Sequence, residues 1–337
     1  MGKVLCFGEL LLRICPDMDG AWLKQNQLPF YVGGAELNVA TALALWGVPS
    51  SYFTALPNNV LADQVLDHVQ QRNIDTSPIQ RSGERIGIYY LPKGKDLKHA
   101  GVIYDRAHSA FASLAPESID WDTVLEGVSW FHFSAICPAL NATAAAICLE
   151  AVKAASARTI SISIDLNYRA KLWQYGKQPA EVMPELLKYA NVVMGNIWAA
   201  EKMLGIELPL GSDTLQDKTL CLEQAQKTSE EIIKRYPNCT AVANTFRFDV
   251  GAGIGYYTAL YTQHKLMVST EYSADRIVDK VGSGDCYMAG LIYGFYQQHS
   301  PQEIIDFATA AAFDKLFIPS DATTSNIAHI QKVQHEN

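Results

Sequence analysis

The chain contains no C-x-x-C pair, and its seven cysteines are scattered and odd in number. That argues against a complete disulfide framework and fits a reducing compartment. No apolar run is long enough to span a bilayer, and no signal peptide precedes the strand-like Lys3–Phe7. A cytoplasmic location with no membrane partner is expected, which makes the sequons at Asn141 and Asn238 chance matches. A basic surplus is missing too: 27 Lys and Arg face 35 Asp and Glu, a net charge of −8. Nothing global therefore favours nucleic acid or an anionic membrane. A phosphate-bearing ligand has to be held by local cations and backbone amides. There is no G-x-x-x-x-G-K-S/T segment, which argues against a P-loop nucleotide site. Gly251-Ala252-Gly253-Ile254-Gly255 runs into the strand-like Tyr256–Leu260 and opens no helix, so it fails the dinucleotide fingerprint. Internal repeats and low-complexity segments are absent.

Against these absences stands an ordinary globular composition, 49% hydrophobic and 18% charged over 337 residues, enough for one large α/β domain with a small appendage. Val4–Phe7, Ser51–Ala55, Trp130–Phe133, Thr159–Ile164 and Asn191–Met194 read as buried strands. Glu36–Trp46, Val60–Gln71, Thr143–Ala155 and Ala180–Tyr189 read as helices between them. Such alternation implies β-α-β units, with helices on both faces of a parallel sheet. Two stretches break the rhythm. Leu11–Ile14 with Phe30–Val32, and Ile86–Leu91 with Val102–Asp105, have strand character without a following helix. The second pair brackets the polar turn Pro92-Lys93-Gly94-Lys95-Asp96 and reads as a hairpin. A small separate lid sheet is expected from about 11–32 and 86–106, covered by ligand or by a second subunit. Pro209–Lys218 reads as a surface loop.

Phosphate chemistry is suggested at Asp279-Lys280-Val281-Gly282-Ser283-Gly284-Asp285, just before a helix running to about Gln298. Gly282 and Gly284 let the backbone turn sharply. The first amides of a helix have no internal partners and carry the positive end of its dipole, so they form an anion site. Asp285 in the first turn is a candidate base facing that site. Taken alone, it is equally an ordinary aspartate stabilising a helix N-terminus. A second pair, Gly33-Gly34, opens a long helix and would let a ligand approach backbone, with Glu36 or Asn38 reaching a sugar hydroxyl. Alone it is an ordinary tight turn.

Together the two motifs resemble the ribokinase-like (PfkB-type) carbohydrate kinases. Those carry a GG-x-x-x-N helix start, here Gly33-Gly34-Ala35-Glu36-Leu37-Asn38. They also carry a D-x-x-G-A-G-D segment, here Asp279 to Asp285 with Ser283 for Ala. The resemblance covers essentially the whole chain, as one kinase domain over 1–337. It implies a mostly parallel central sheet with a β-sheet lid and Asp285 as general base. It also implies an anion hole from the amides of Gly282, Ser283 and Gly284, and ATP used with Mg²⁺; a monovalent cation is a further candidate cofactor. Asn167, Asn196 and Asn244 are the implied nucleotide-side residues. In the family's N-x-x-E segment this chain has Ala199 at the acidic position, with Glu201 two residues later, and no metal ligand is assigned. The segment Asn244–Phe248 lacks the usual glycine.

Two arginines point to a subgroup. Asp165-Leu166-Asn167-Tyr168-Arg169 follows a strand and so projects where open α/β sheets bind ligands; Arg106 ends a lid strand. The planar guanidinium matches a carboxylate or phosphate, which a neutral sugar does not need twice. The D-x-N-Y-R segment, with Gly87-Ile88-Tyr89 and Tyr104-Asp105-Arg106, resembles 2-keto-3-deoxygluconate kinases. By that resemblance Gly33, Gly34, Glu36, Asn38, Tyr89, Tyr104 and Arg106 bind the sugar acid. Arg169 would sit between its carboxylate and the transferred phosphate, and Asp321 of Ile318-Pro319-Ser320-Asp321 would touch substrate. A homodimer through the lid sheet is expected. The alternatives are a neutral-ketose kinase of the same fold, a silent sugar-binding protein, and a nicotinamide oxidoreductase, the last opposed by the missing fingerprint.

Overall fold

The computed structural model describes residues 2–16, 22–24, 26–92, 101–207, 217–251 and 253–336. The apolar runs form parallel strands lying side by side in the order Ile74–Asp75, Ser50–Phe53, Lys3–Phe7, Val128–Ser134, Ser161–Asp165, Val192–Gly195 and Ala241–Val250. Gly253–Thr262 then adds antiparallel, and both Lys265–Val268 and Tyr272–Ala274 pair with it antiparallel, making ten strands. Alternate residues of one strand enter two different cores. Val4 and Cys6 pack with Leu37, Ala40 and Met288, whereas Leu5 and Phe7 pack with Ile147, Val152 and Leu186. A strand apolar on both sides must be covered on both sides, and helices provide that cover.

The strands without crossover helices form a separate four-stranded sheet in the order Phe30–Gly33, Leu11–Ile14, Gly87–Tyr90 and Ile103–Asp105. The Gly87–Tyr90 and Ile103–Asp105 strands pair antiparallel, with Tyr89 opposite Tyr104. The turn expected between them at 92–96 lies outside the described residues after Pro92. So does nearly all of the loop expected over 209–218, whose last residue opens the helix Lys218–Arg235.

Two helices set the Gly282-Ser283-Gly284 turn. Ser283–Tyr296 is buried on nearly every side, from Cys286 through Gly294. It packs so closely on Pro301–Lys315 that a methyl group at Gly290 would stand about 2.5 Å from the Ala308 Cα, tighter than side chains tolerate. Ser283 Oγ donates to the Ala312 carbonyl at 2.9 Å, and Cys286 Sγ to that of Ala311 at 3.2 Å. The helix start is therefore tied to the C-terminal half of its neighbour and has little freedom to shift.

Candidate active site

A cleft of about 790 Å³ opens between the four-stranded sheet and the C-terminal ends of the parallel strands. This is where an open α/β sheet exposes loop residues to a ligand. At its base Gly282 takes φ 79°, a left-handed turn, and caps the helix Ser283–Tyr296. A methyl there would overlap the Asp321 carbonyl oxygen, so glycine is required twice over, by conformation and by space. The first intrahelical bond is Cys286 N to Gly282 O at 2.8 Å. The amides of Ser283, Gly284 and Asp285 thus precede the helical ladder and are available to an anion.

Asp285 lines the cleft, half-buried, and its Oδ2 accepts from Asn38 Nδ2 at 2.7 Å. Burial pushes its carboxyl up to about 7, and the neighbouring Asp165 and Glu36 push the same way; Asn38 and Arg169 act against the rise. A carboxyl poised near neutrality accepts and returns a proton efficiently. Asn38 reaches it because Gly34, at φ 136°, starts the helix Ala35–Leu45 directly over the Glu9 carbonyl, where no Cβ fits.

Gly34, Asn38, Tyr89, Tyr104, Arg106, Asn167, Arg169, Asn196 and Gly282–Asp285 all line this one cleft. Four expected site residues do not. Glu36 turns into the core, where its Oε1 accepts from the Ser134 amide at 2.9 Å and its other oxygen lies under Gly8. Glu36 and Asn38 stand about 200° apart around a helix, so both cannot face one ligand. Asn244 is buried with Nδ2 on the Gly195 carbonyl at 3.0 Å. Its strand neighbours Thr245 and Arg247 line the cleft: 245 faces the opposite side by alternation, and 247 shares that side. Asp321 is buried against Arg13 Nη1 (2.8 Å) and the Tyr89 hydroxyl (2.8 Å), and Gly33 lies against its carboxylate. Asn196 lines the cleft but spends its Oδ1 on the Ala199 amide at 2.7 Å, capping the helix Ile197–Leu204.

Arg106 holds a surprise for the expected guanidinium fork. Its Nε donates to Glu9 Oε2 at 2.7 Å and its Nη2 to the same oxygen, while Ser109 Oγ holds Glu9 Oε1. Both Nη1 hydrogens and the second Nη2 hydrogen remain for other partners. Sequence reasoning missed Glu9; the signal was a carboxylate set between Gly8 and Leu10-Leu11-Leu12, where nothing but a buried partner stabilises it. It also missed Lys171, Lys202 and Lys280, which add positive charge to the cleft walls.

Among the described residues no three His, Cys, Asp or Glu side chains gather as a metal cluster. The carboxylates lining the cleft are Asp165 and Asp285. This donor set suits a magnesium ion carried in on a polyphosphate, which needs only one or two protein carboxylates.

The profile of the pfkB family carbohydrate kinases matches residues 1–313. The chain belongs to that family. The crystal structure of 2-dehydro-3-deoxygluconokinase from Thermotoga maritima superimposes with a TM-score of 0.89 at 35% identity, over 99% of this chain and 100% of that one. The 2-dehydro-3-deoxygalactonokinase of Haloferax volcanii is 25% identical over 98% of this chain and 96% of its own length. Fructokinase from Xylella fastidiosa, solved with bound ATP, shares the fold at a TM-score of 0.76 and 20% identity, over 99% of this chain and 98% of that one. The architecture is thus the ribokinase-like α/β fold with its separate small sheet.

Asp285 carries a stability cost with a definite sign. Its folded value near 7 lies above the ordinary carboxyl value of 3.8. Between those two pH values the folded state holds a proton the unfolded state has lost, so this contribution to stability falls as pH rises through the window. Asp285→Asn, which removes the titration, is expected to gain in melting temperature relative to wild type as pH rises from about 5 to about 8. An unchanging difference across that range would show that burial does not load this carboxyl.

Proposed function

We propose that this kinase transfers the γ-phosphoryl group of ATP to a hydroxyl of a 2-keto-3-deoxy sugar acid, foremost 2-keto-3-deoxygluconate, giving the 6-phosphate. The observation that carries the reading is the Asp285 carboxylate beside Gly282-Ser283-Gly284, in the same cleft as Arg106 and Arg169. The names of the Thermotoga and Haloferax relatives, both kinases of such acids, support the substrate class.

In this reading the Asp285 carboxylate takes the proton of the sugar hydroxyl as that oxygen attacks the γ-phosphorus. The bond to the bridging oxygen breaks and ADP leaves with the electron pair. The amides of Gly282, Ser283 and Gly284 receive the charge that builds on the transferring group. Asn38 steers Asp285 through their hydrogen bond. Gly34, Tyr89 and Tyr104 shape the sugar side, and Arg106 Nη1 with Arg169 meets the acid's carboxylate, Arg169 also facing the phosphoryl group. Asn167, Asn196, Arg247 and Lys280 line the nucleotide side. Magnesium, held by phosphate oxygens with Asp165 nearby, would neutralise phosphate charge. Cytoplasmic operation accords with the seven free, buried cysteines.

Burying a carboxylate is costly unless charge-assisted hydrogen bonds replace its water. Arg106→Ala alone would strand Glu9 as an unpaired buried charge, so the test uses Glu9→Gln with Arg106→Gln, and Arg169→Ala separately. Each is expected to lower the ratio of kcat/KM for the acid over a neutral ketose by about 30-fold or more. Arg169→Ala is expected to lower kcat as well. Asp285→Asn should lose about 10²–10⁴-fold in turnover while still binding ATP. An acid-to-ketose ratio unmoved in both arginine variants would refute the substrate assignment.

The reading includes a homodimer formed through the lid sheet. Phe30 and Ile103, on the two outer strands of that sheet, are 55% and 51% exposed. A second copy of the same sheet is the occupant that buries both at once by two-fold symmetry. Sedimentation velocity at micromolar concentration should give twice the 37.1 kDa chain mass. A monomer under those conditions would rule the interface out.

A further inference from the structure

Two basic side chains lie buried outside the cleft. Arg13 and Lys315 are both 0% exposed, and the phosphoryl-transfer steps use neither. Arg13 donates through Nη2 to Asp279 Oδ2 at 2.5 Å and through Nη1 to Asp321 Oδ1 at 2.8 Å. Asp279 Oδ1 accepts from the Val281 amide at 3.1 Å, and Asp321 Oδ2 from the Tyr89 hydroxyl at 2.8 Å. All four carboxylate oxygens thus have donors from this chain. Lys315 closes the helix Pro301–Lys315, and its Nζ donates to the Ile318 carbonyl at 3.1 Å. Its stem passes about 3.4 Å from where a Cβ on Gly282 would stand. Burial lowers its pKa and the charge of Arg13 pushes the same way, while Asp279 and Asp321 act to hold its proton.

These cations sit behind the phosphate turn, which is otherwise backed by negative groups. Asp279 and Asp321 flank it, and the Asp321 carbonyl presses on Gly282. The Leu316 carbonyl, at the C-terminal end of Pro301–Lys315, accepts from the Val278 and Asp279 amides at 2.8 and 3.0 Å. A helix C-terminus carries partial negative charge. Together these groups would set a field opposing any anion on the turn's front amides, and at low dielectric that opposition is strong. A dissolved ion bound behind the turn is one remedy. Here the carboxylates such an ion would need are already matched.

We propose that Arg13 and Lys315 form a built-in cation pair that neutralises and fixes the phosphate turn, so that turnover requires no dissolved monovalent cation. This rests on the phosphotransferase reading above. Both are positioning residues, since neither lines the cleft. Arg13 also ties the lid strand Leu11–Ile14 to the turn, so lid and anion site share one foundation.

The test measures wild-type kcat/KM on 2-keto-3-deoxygluconate with magnesium ATP as its tetramethylammonium salt, at constant ionic strength of about 0.15 M. Tetramethylammonium is then replaced by potassium, sodium or ammonium. Wild type is expected to change by less than about twofold, within what residual screening differences produce. A saturable stimulation of several-fold by potassium overturns the proposal. Lys315→Ala vacates an ammonium-sized space and is expected to lose about 10²-fold in turnover through displacement of the turn. Potassium or ammonium, not tetramethylammonium, should restore part of that loss. The same ions should raise the variant's melting temperature saturably, as a bound ligand does. Lys315→Ala that keeps turnover within about twofold of wild type without these ions also overturns the proposal, since displacement of the turn should cost far more. If the variant does not fold, the wild-type salt series decides alone. A wild-type protein inactive in every salt would instead remove the kinase reading, and this inference with it.

Discussion

Arg13 holds the molecule's working parts in register. It leaves a lid strand, enters a fully buried position, and ends between Asp279 and Asp321, which lie 266 and 308 residues away along the chain. Removing one partner of such a buried pair costs about 3–5 kcal/mol, because the other charge is left without solvent or partner. Tyr89 joins the same network from a neighbouring lid strand, and Gly33 rests on Asp321. The small four-stranded sheet, the Gly282–Gly284 turn and the Asp321 loop are therefore tied together by one buried network.

The cleft in turn gathers basic side chains on an acidic protein. Net charge is −8, yet Arg169, Lys171, Lys202, Arg247 and Lys280 line this one cavity, along with Arg106. Asp285 stands among them, with burial and Asp165 raising its carboxyl toward neutrality. Local charge and backbone amides thus replace any global field. Glu9 adds a restraint: its two hydrogen bonds to Arg106 set that side chain's orientation and leave it little freedom to turn.

What was legible in the sequence follows the range of the forces involved. The strand–helix alternation and the two glycine turns are local patterns, and the elements fall within a few residues of where periodicity put them; Glu36–Trp46, for instance, became Ala35–Leu45. The lid strands were legible because no helix follows them. Which face a polar residue takes was not. Glu36 and Asn38 look equivalent in sequence, and only the 100° step per helical residue separates them. Asn244 was chosen over Thr245 and Arg247 without a sheet to say which side faced the cleft. The buried pairs were hidden by distance along the chain, since Glu9 meets Arg106 across 97 residues.

In the proposed reaction this cleft moves phosphate from ATP to a sugar acid and reads the acid group in doing so. Coupled ADP release by the purified wild-type protein tests it most directly, with 2-keto-3-deoxygluconate, its C4 epimer 2-keto-3-deoxygalactonate, fructose and ribose supplied side by side. ADP release is expected to depend on sugar, with kcat/KM for the keto-deoxy acids above that for the neutral sugars by about 10²-fold, the scale of one well-matched buried charge contact. Equal or better turnover of a neutral sugar, or no ADP release with any of the four, would contradict it.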